Sequence, residues 1–138
     1  MNETPFSACA DLQVELLRSG KPLEAFDSFF AADGIMYAND KLFAQGASEA
    51  RAKQQPFIAA AKSIHGSIVD FRFDEEKEIC VFRNRTSFVT HADKSVQIDG
   101  VCWQKWQNGK IVEERYYDGP MMEQRIADGI LLCGDLKS

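Results

Sequence analysis

The sequence has only two histidines, His65 and His91, and four scattered cysteines, Cys9, Cys80, Cys102 and Cys133. No His pair has helix or strand spacing and no C-x-x-C occurs. A metal centre and a thioredoxin-type motif are therefore unsupported, and the thiols read as small reduced hydrophobes. No run approaches the ~18 consecutive apolar residues of a membrane helix. Nor does any stretch concentrate Lys and Arg, and the net charge is −5, which argues against nucleic acid and anionic membranes as partners. The opening MNETPFSACADL lacks a basic region followed by an apolar run, so no secretory leader is expected and the expected location is cytoplasmic. There is no phosphate-binding loop, dinucleotide-binding glycine fingerprint or serine nucleophile elbow, and no cofactor is expected. Repeats, linkers and low-complexity blocks are absent too. What remains is 138 residues, 45% hydrophobic and 27% charged, which reads as one domain over 1–138 with its core at about 8–126.

The strongest local signal is Asn108-Gly109, a pair suited to the positive φ at both centres of a type I′ hairpin turn. Closing the turn there opposes Gln107 to Lys110, Trp106 to Ile111, Trp103 to Glu114, Val101 to Tyr116 and Asp99 to Asp118. Strand alternation then sets Asp99, Val101, Trp103, Val112, Glu114, Tyr116 and Asp118 on one face. Cys102, Gln104, Trp106, Ile111, Glu113, Arg115 and Tyr117 fall on the other.

Upstream, Leu12, Leu16 and Ser19 form a helical stripe that starts at a Thr4 cap with Pro5 and stops at Gly20. Pro22 opens a second helix carrying Leu23, Ala25, Phe26, Phe29 and Phe30, broken by Asp33-Gly34. Ile35 to Ala38 reads as a short strand. Ala47 to Ile64 reads as a helix that Pro56 should kink or divide. Four strands follow over His65–Phe73, Ile79–His91, Val96–Trp106 and Ile111–Tyr117. Pro120 ends the last, a short helix is expected over Met121–Ile126, and the tail is expected to be loose. Helices around one strand followed by an antiparallel meander make an α+β pattern.

The order Gly20-Lys21-Pro22-Leu23-Glu24-Ala25-Phe26, Phe30-Ala31-Ala32-Asp33-Gly34, Gly46 and Asn108-Gly109-Lys110-Ile111-Val112 leading to Tyr116-Tyr117-Asp118 resembles a known superfamily. It is shared by nuclear transport factor 2, ketosteroid isomerase, limonene epoxide hydrolase and the SnoaL-like polyketide cyclases. The resemblance covers roughly Leu12 to Pro120. It implies a strongly curved, mainly antiparallel sheet closed by the N-terminal helices into a cone-shaped barrel. It does not imply one activity.

Three mid-strand arginines, Arg83, Arg85 and Arg115, are expensive to bury, so the face with Phe82, Asn84, Thr86, Phe88, Trp103 and Tyr116 is expected to line the pocket. The pocket parity of the resembling enzymes agrees. The arginine face, with Trp106, Tyr117, Ile98 and Ile111, is expected to point outward and to carry a homodimer contact.

Matched to ketosteroid isomerase, whose aspartate base works beside an oxyanion hole of a Tyr and a protonated Asp, Asp99 resembles the oxyanion-hole aspartate. The tyrosine position is occupied by Gln13. The base position falls at Ala38, with Asn39 and Asp40 just beyond. Tyr37-Ala38-Asn39 resembles the water-holding Tyr and Asn of the epoxide hydrolase, but its Arg-x-Asp has no counterpart in Arg83-Asn84-Arg85-Thr86-Ser87. A SnoaL-like cyclase needs only a group that moves a proton on an enolisable carbon. Asp99 and Asp118, opposed in a poorly solvated site, suit that role. Asp118 before Gly119-Pro120 equally suits a cap, and Asp99 before Gly100 a bulge. The expected site is thus catalytic Asp99, Asp118 and Asp40, with Trp103, Tyr116, Phe82, Asn84, Glu114, Tyr37 and Asn39 binding a small apolar ligand. A non-catalytic ligand-binding or dimerisation domain of the same fold is the alternative.

Overall fold

Asn108 (φ 54°) and Gly109 (φ 74°) both adopt positive φ, so the chain closes its central hairpin where its sequence asks. The computed structural model describes residues 5–134 and 136. Pro5 caps the first helix, α1 (Phe6–Arg18). A Thr4 cap lies outside the described residues. Pro22 starts α2 (Pro22–Phe29), where its fixed φ and missing N–H are tolerated. Then come β1 (Phe30–Ala38), β2 (Lys41–Gln45), α3 (Ala47–Ala59), β3 (Ala61–His65), β4 (Ile68–Asp74), β5 (Ile79–Asn84), β6 (Ser87–Thr90), β7 (Ser95–Gln97), β8 (Gly100–Gln107), β9 (Lys110–Asp118) and α4 (Gly119–Ala127). A 3-10 turn over Ile130–Leu132 follows.

The fold is α+β with a mixed sheet. Strands run β2-β1-β9-β8-β5-β4 in one six-stranded sheet and β3-β6-β7 in a smaller one. β1 runs parallel to β9, whereas the other pairs in both sheets are antiparallel. No closed barrel forms among the described residues. Two expected long strands are each split between the sheets, at Arg85-Thr86 and at Ile98-Asp99. The helix expected to reach Ile64 ends at Ala59, with Pro56 inside it. The segment after it pairs with β6 instead.

The hairpin register holds only at its tip. Gln107 opposes Lys110 and Trp106 opposes Ile111, but Lys105 then opposes Glu113, leaving Val112 as a bulge. Every later rung moves by one, so Gln104 opposes Glu114, Trp103 opposes Arg115 and Gly100 opposes Asp118. A one-residue slip exchanges a strand's faces. Trp106 and Ile111, on the tip side of the bulge, pack inward with Phe6, Phe26 and Phe30, and beyond it Glu114 shares their face while Arg115 does not. Val101, Trp103 and Tyr117 face the other side.

That other side is covered by the C-terminal segment. Met122 of α4, Ile130 and Cys133 pack on Ile79, Val81, Val101, Trp103 and Tyr117, and Trp103 Nε1 donates to the Gly134 carbonyl at 2.9 Å. The tail expected to be loose is therefore the lid of a second core. Of the residues expected to make the outer face aromatic, Tyr117 lies under this segment, while Trp106, Ile111 and Ile98 face inward.

Candidate functional site

Between α1, α2, α3 and the inner sheet face lies a cavity of about 280 Å³, walled by Leu17, Phe26, Met36, Phe82, Phe88 and Ile111 among others. Its polar floor is built by α1, β8 and β9. Gln13, 4% exposed, and Gln104, 1% exposed, form a reciprocal amide pair. Gln13 Nε2 donates to Gln104 Oε1 at 2.9 Å, and Gln104 Nε2 donates to Gln13 Oε1 at 2.7 Å. Gln104 uses its second N–H on Glu114 Oε1 at 2.6 Å. Its oxygen also accepts from Trp106 Nε1 at 3.3 Å and from the Cys80 thiol at 3.2 Å. Trp106 can only donate, so the Gln104 amide orientation is fixed. Buried polar groups are retained when satisfied this fully.

Glu114 opens on the cavity beside this amide. Burial raises its carboxyl above the ordinary glutamate value, and the Gln104 N–H opposes that rise without cancelling it. Among the described residues, Gln104 is the one donor to this carboxylate. A carboxyl shifted upward in an apolar cavity holds its proton more firmly than a solvated one, which makes it a candidate for proton transfer.

Asn84 and Thr86 also line the cavity, at the break between β5 and β6. The Thr86 backbone N–H donates to Asn84 Oδ1 at 3.0 Å, and the Thr86 hydroxyl donates to the same oxygen.

Of the residues expected to bind ligand, Phe82, Asn84 and Glu114 line the cavity. Trp103 does not, because β8 alternates regularly from the inward Trp106 and so turns Trp103, three residues away, to the opposite face. Tyr116 keeps its inward parity, but its ring lies over Gly100 and packs beside Phe82 and Cys102 rather than lining the cavity. Tyr37 stacks under the Arg115 guanidinium, 4.2 Å from the ring centre. Asn39 donates from Nδ2 to Asp118 Oδ1 at 2.8 Å and accepts from the Asp118 N–H at 3.1 Å.

The three expected catalytic aspartates also lie elsewhere. Asp99 precedes β8 and pairs with Arg83 (3.2 Å) and Arg85 (3.7 Å). It does not oppose Asp118, whose rung partner is Gly100, so the expected carboxylate pair does not form. Asp40 joins Tyr117, Arg125 and Arg115. Burial alone would raise its carboxyl, but hydrogen bonds from Tyr117 and Arg125 and the charges of Arg125 and Arg115 hold it below the usual range. Arg115 is only 4% exposed; Glu113 (2.6 Å), Asp40 (3.4 Å) and Tyr37 partner it. The expected cost of burying a guanidinium is thus met by carboxylates and an aromatic ring.

No protein-family model matches the chain, and no curated protein matches its sequence. Solved structures do match its fold. A protein named as a SnoaL-like polyketide cyclase from Mesorhizobium loti superposes with a TM-score of 0.68 at 24% identity, over 83% of this chain and 100% of that one. The chain has the SnoaL-like, NTF2-like fold. AclR from Streptomyces galilaeus, described as a hydroxylase, gives 0.67 at 11% identity, over 89% of this chain and 96% of that one. An NTF2-like protein of unknown function from Burkholderia pseudomallei gives 0.65 at 13% identity, over 92% and 97%. At these identities the likeness is one of fold, and the SnoaL-like, NTF2-like fold does not fix an activity.

Gln13 and Gln104 are the site residues that strand-face reasoning passed over. A glutamine between Trp103 and Trp106 in the run Gly100-Val101-Cys102-Trp103-Gln104-Lys105-Trp106 was the available signal. A polar side chain in so apolar a strand needs buried partners.

Proposed function

We propose that the chain binds a small, largely apolar carbonyl compound in this cavity, and that Glu114 moves a proton on its enolisable carbon. One observation carries the reading: a carboxyl raised by burial, with one neutral donor, opens on an apolar space. At about 280 Å³ the cavity lies just below the roughly 300–1,000 Å³ common for small-molecule sites, which suits a body of one or two rings.

In the forward step the Glu114 carboxylate takes the proton from the carbon beside the carbonyl. The C–H electron pair moves into the carbon–carbon bond, and the carbonyl π pair moves onto oxygen, giving an enolate. Gln13 spends one Nε2–H on Gln104 and keeps the other for that oxygen. Returning the proton from Glu114 to carbon regenerates the carboxylate, with no oxidant or reductant consumed. Acid–base assistance of this kind contributes about 10²–10⁴ in rate.

A second reading is supported by the distribution of carboxylates. With Asp99, Asp118 and Asp40 held in pairs elsewhere, the cavity holds one titrating acid, as a non-catalytic binding site also can. Proton–deuterium exchange separates the two. Bicyclic ketones incubated with the protein in D₂O are followed by NMR at the carbon beside the carbonyl. Catalysed exchange that Glu114→Gln abolishes while the ketone still binds supports proton transfer. Binding without catalysed exchange sinks it in favour of the binding domain.

A further inference from the structure

The cavity has a second polar end. Thr86 presents two donors to Asn84 Oδ1, and one of them is a backbone N–H, which cannot accept. The oxygen of the Asn84 amide is thereby fixed toward Thr86, and its NH₂ must point the other way. Among the described residues no chain acceptor takes these N–H groups; Arg83 Nε is the buried side-chain polar atom without a partner there, so the Asn84 NH₂ is open rather than sealed in, and Asn84 lines the cavity. A clamped amide whose donors face an apolar space is built to receive an acceptor atom.

Its position relative to Glu114 follows from the sheet. Asn84 opposes Gly100, and Glu114 opposes Gln104, four residues further along β8. Glu114 and Asn84 are therefore two strand spacings apart across the sheet and four residues apart along it. On a flat sheet that is roughly 16 Å between Cα atoms, and less on a curved one. The side chains of Phe82 and Cys102, paired on the rung between, line the cavity there. Asn84 is thus too far away to serve the oxygen that Gln13 faces.

We propose, resting on the proton-transfer reading of this cavity, that the ligand is an apolar two-ring body with an oxygen at each end: a carbonyl at the Gln13–Glu114 floor and an acceptor held by the Asn84 NH₂. Asn84 is then a specificity residue that selects ligands by their length and distal oxygen. Discrimination of this type is large, because an unmet buried donor costs far more than a lost apolar contact.

The test uses the intact protein and three probes of nearly equal shape: trans-decalin-2,6-dione, trans-2-decalone and decalin. Calorimetry or NMR titration is expected to show the dione binding at least about tenfold more tightly than the monoketone. In Asn84→Asp the Thr86 donors keep their acceptor while the NH₂ is lost, and the dione advantage is expected to vanish. The Asn84 side-chain ¹⁵N–¹H signals, which need no variant, are expected to shift with the dione and not with decalin. Equal affinity of dione and monoketone, an advantage that survives in Asn84→Asp, unmoved Asn84 signals, or no binding of either ketone at millimolar concentration each overturns the proposal. Glu114→Gln separates it from the reading it rests on. A dione preference that persists in that variant without catalysed exchange in wild type supports the Asn84 site while removing proton transfer.

Discussion

Replacing Gln104 by leucine tests the whole floor of the cavity at once. The side chain is 1% exposed and takes part in five hydrogen bonds, with Gln13, Glu114, Trp106 and Cys80. Leucine nearly conserves volume, so the packing change is small. The polar change is not. Trp106, fully buried, is left with an unsatisfied N–H, which costs about 1–3 kcal/mol. Glu114 loses its one donor, a charge-assisted bond of about 1.5–3 kcal/mol. Gln13 faces the cavity and can turn to water, so its share is the smallest. The total expected loss is about 3–5 kcal/mol, read as a lower urea midpoint at unchanged slope. A Gln13→Leu, Gln104→Leu cycle should recover part of it, because the two amides are each other's partners. Glu114 should respond as well. Losing the N–H that opposes the effect of burial should raise its carboxyl further, visible by carbon-detected titration. A loss below about 1 kcal/mol with an unmoved Glu114 titration would refute the network.

Wild type should lose stability as pH rises from the ordinary glutamate range to the raised Glu114 value. In that window the folded state holds a proton that the unfolded state has released; Glu114→Gln should flatten this dependence and exceed wild type at neutral pH, as midpoints across pH will show. Gly100→Ala should destabilise by about 1–3 kcal/mol, since a Cβ there would sit 2.3 Å from the Tyr116 ring; an unchanged midpoint would mean the ring lies elsewhere. Asp40→Asn should cost only about 1 kcal/mol, because Asp40 is 32% exposed and Arg115 keeps Glu113. Its contribution should disappear as pH falls through the lowered Asp40 value. Light scattering should find a monomer, since the aromatic residues that suggested a dimer are covered by α4, the 3-10 turn and the inner core. A dimer would place that C-terminal segment in the interface.

What could be read from the sequence was local chemistry with one geometric solution. Asn108-Gly109 demanded its turn, Pro22 its helix start and Gly46, at φ 90°, the entry to α3. The inward parities of Phe82 and Asn84 were legible as well, whereas Glu114 was expected inward on a register that paired it with Trp103, and it is the Val112 bulge that turns it in. The faces of β8 were not, for two physical reasons. Gly100 to Gln104 and Trp106 are all buried, so both faces of the strand are covered and alternation carries no sign. The bulge that sets the register falls on Val112, a residue with ordinary strand chemistry. The cover over Trp103 and Tyr117 comes from the chain's end, where few polar caps or long apolar runs announce structure. Buried Arg115 misled for a similar reason. Glu113 is its neighbour on β9, but Tyr37 and Asp40 come from around the end of β1, far away in the chain, and only the fold brings them to Arg115.

The bulge is also what makes the site. In a regular hairpin, Ile111, Glu113 and Arg115 would share the inner face, and Glu114 would stand opposite Trp103 on the outer one. The cavity would then hold the Arg115 guanidinium without Asp40 or Tyr37, a charge whose burial is costly unless paired. Inserting Val112 sends Arg115 out to its carboxylates and brings Glu114 in beside Gln104, while Trp106 and Ile111 stay in the core. One extra residue in β9 thus decides which charged residue faces the cavity. Its stability cause is the pairing of Arg115 with Asp40 and Glu113, and the inward Glu114 is the consequence for the candidate site.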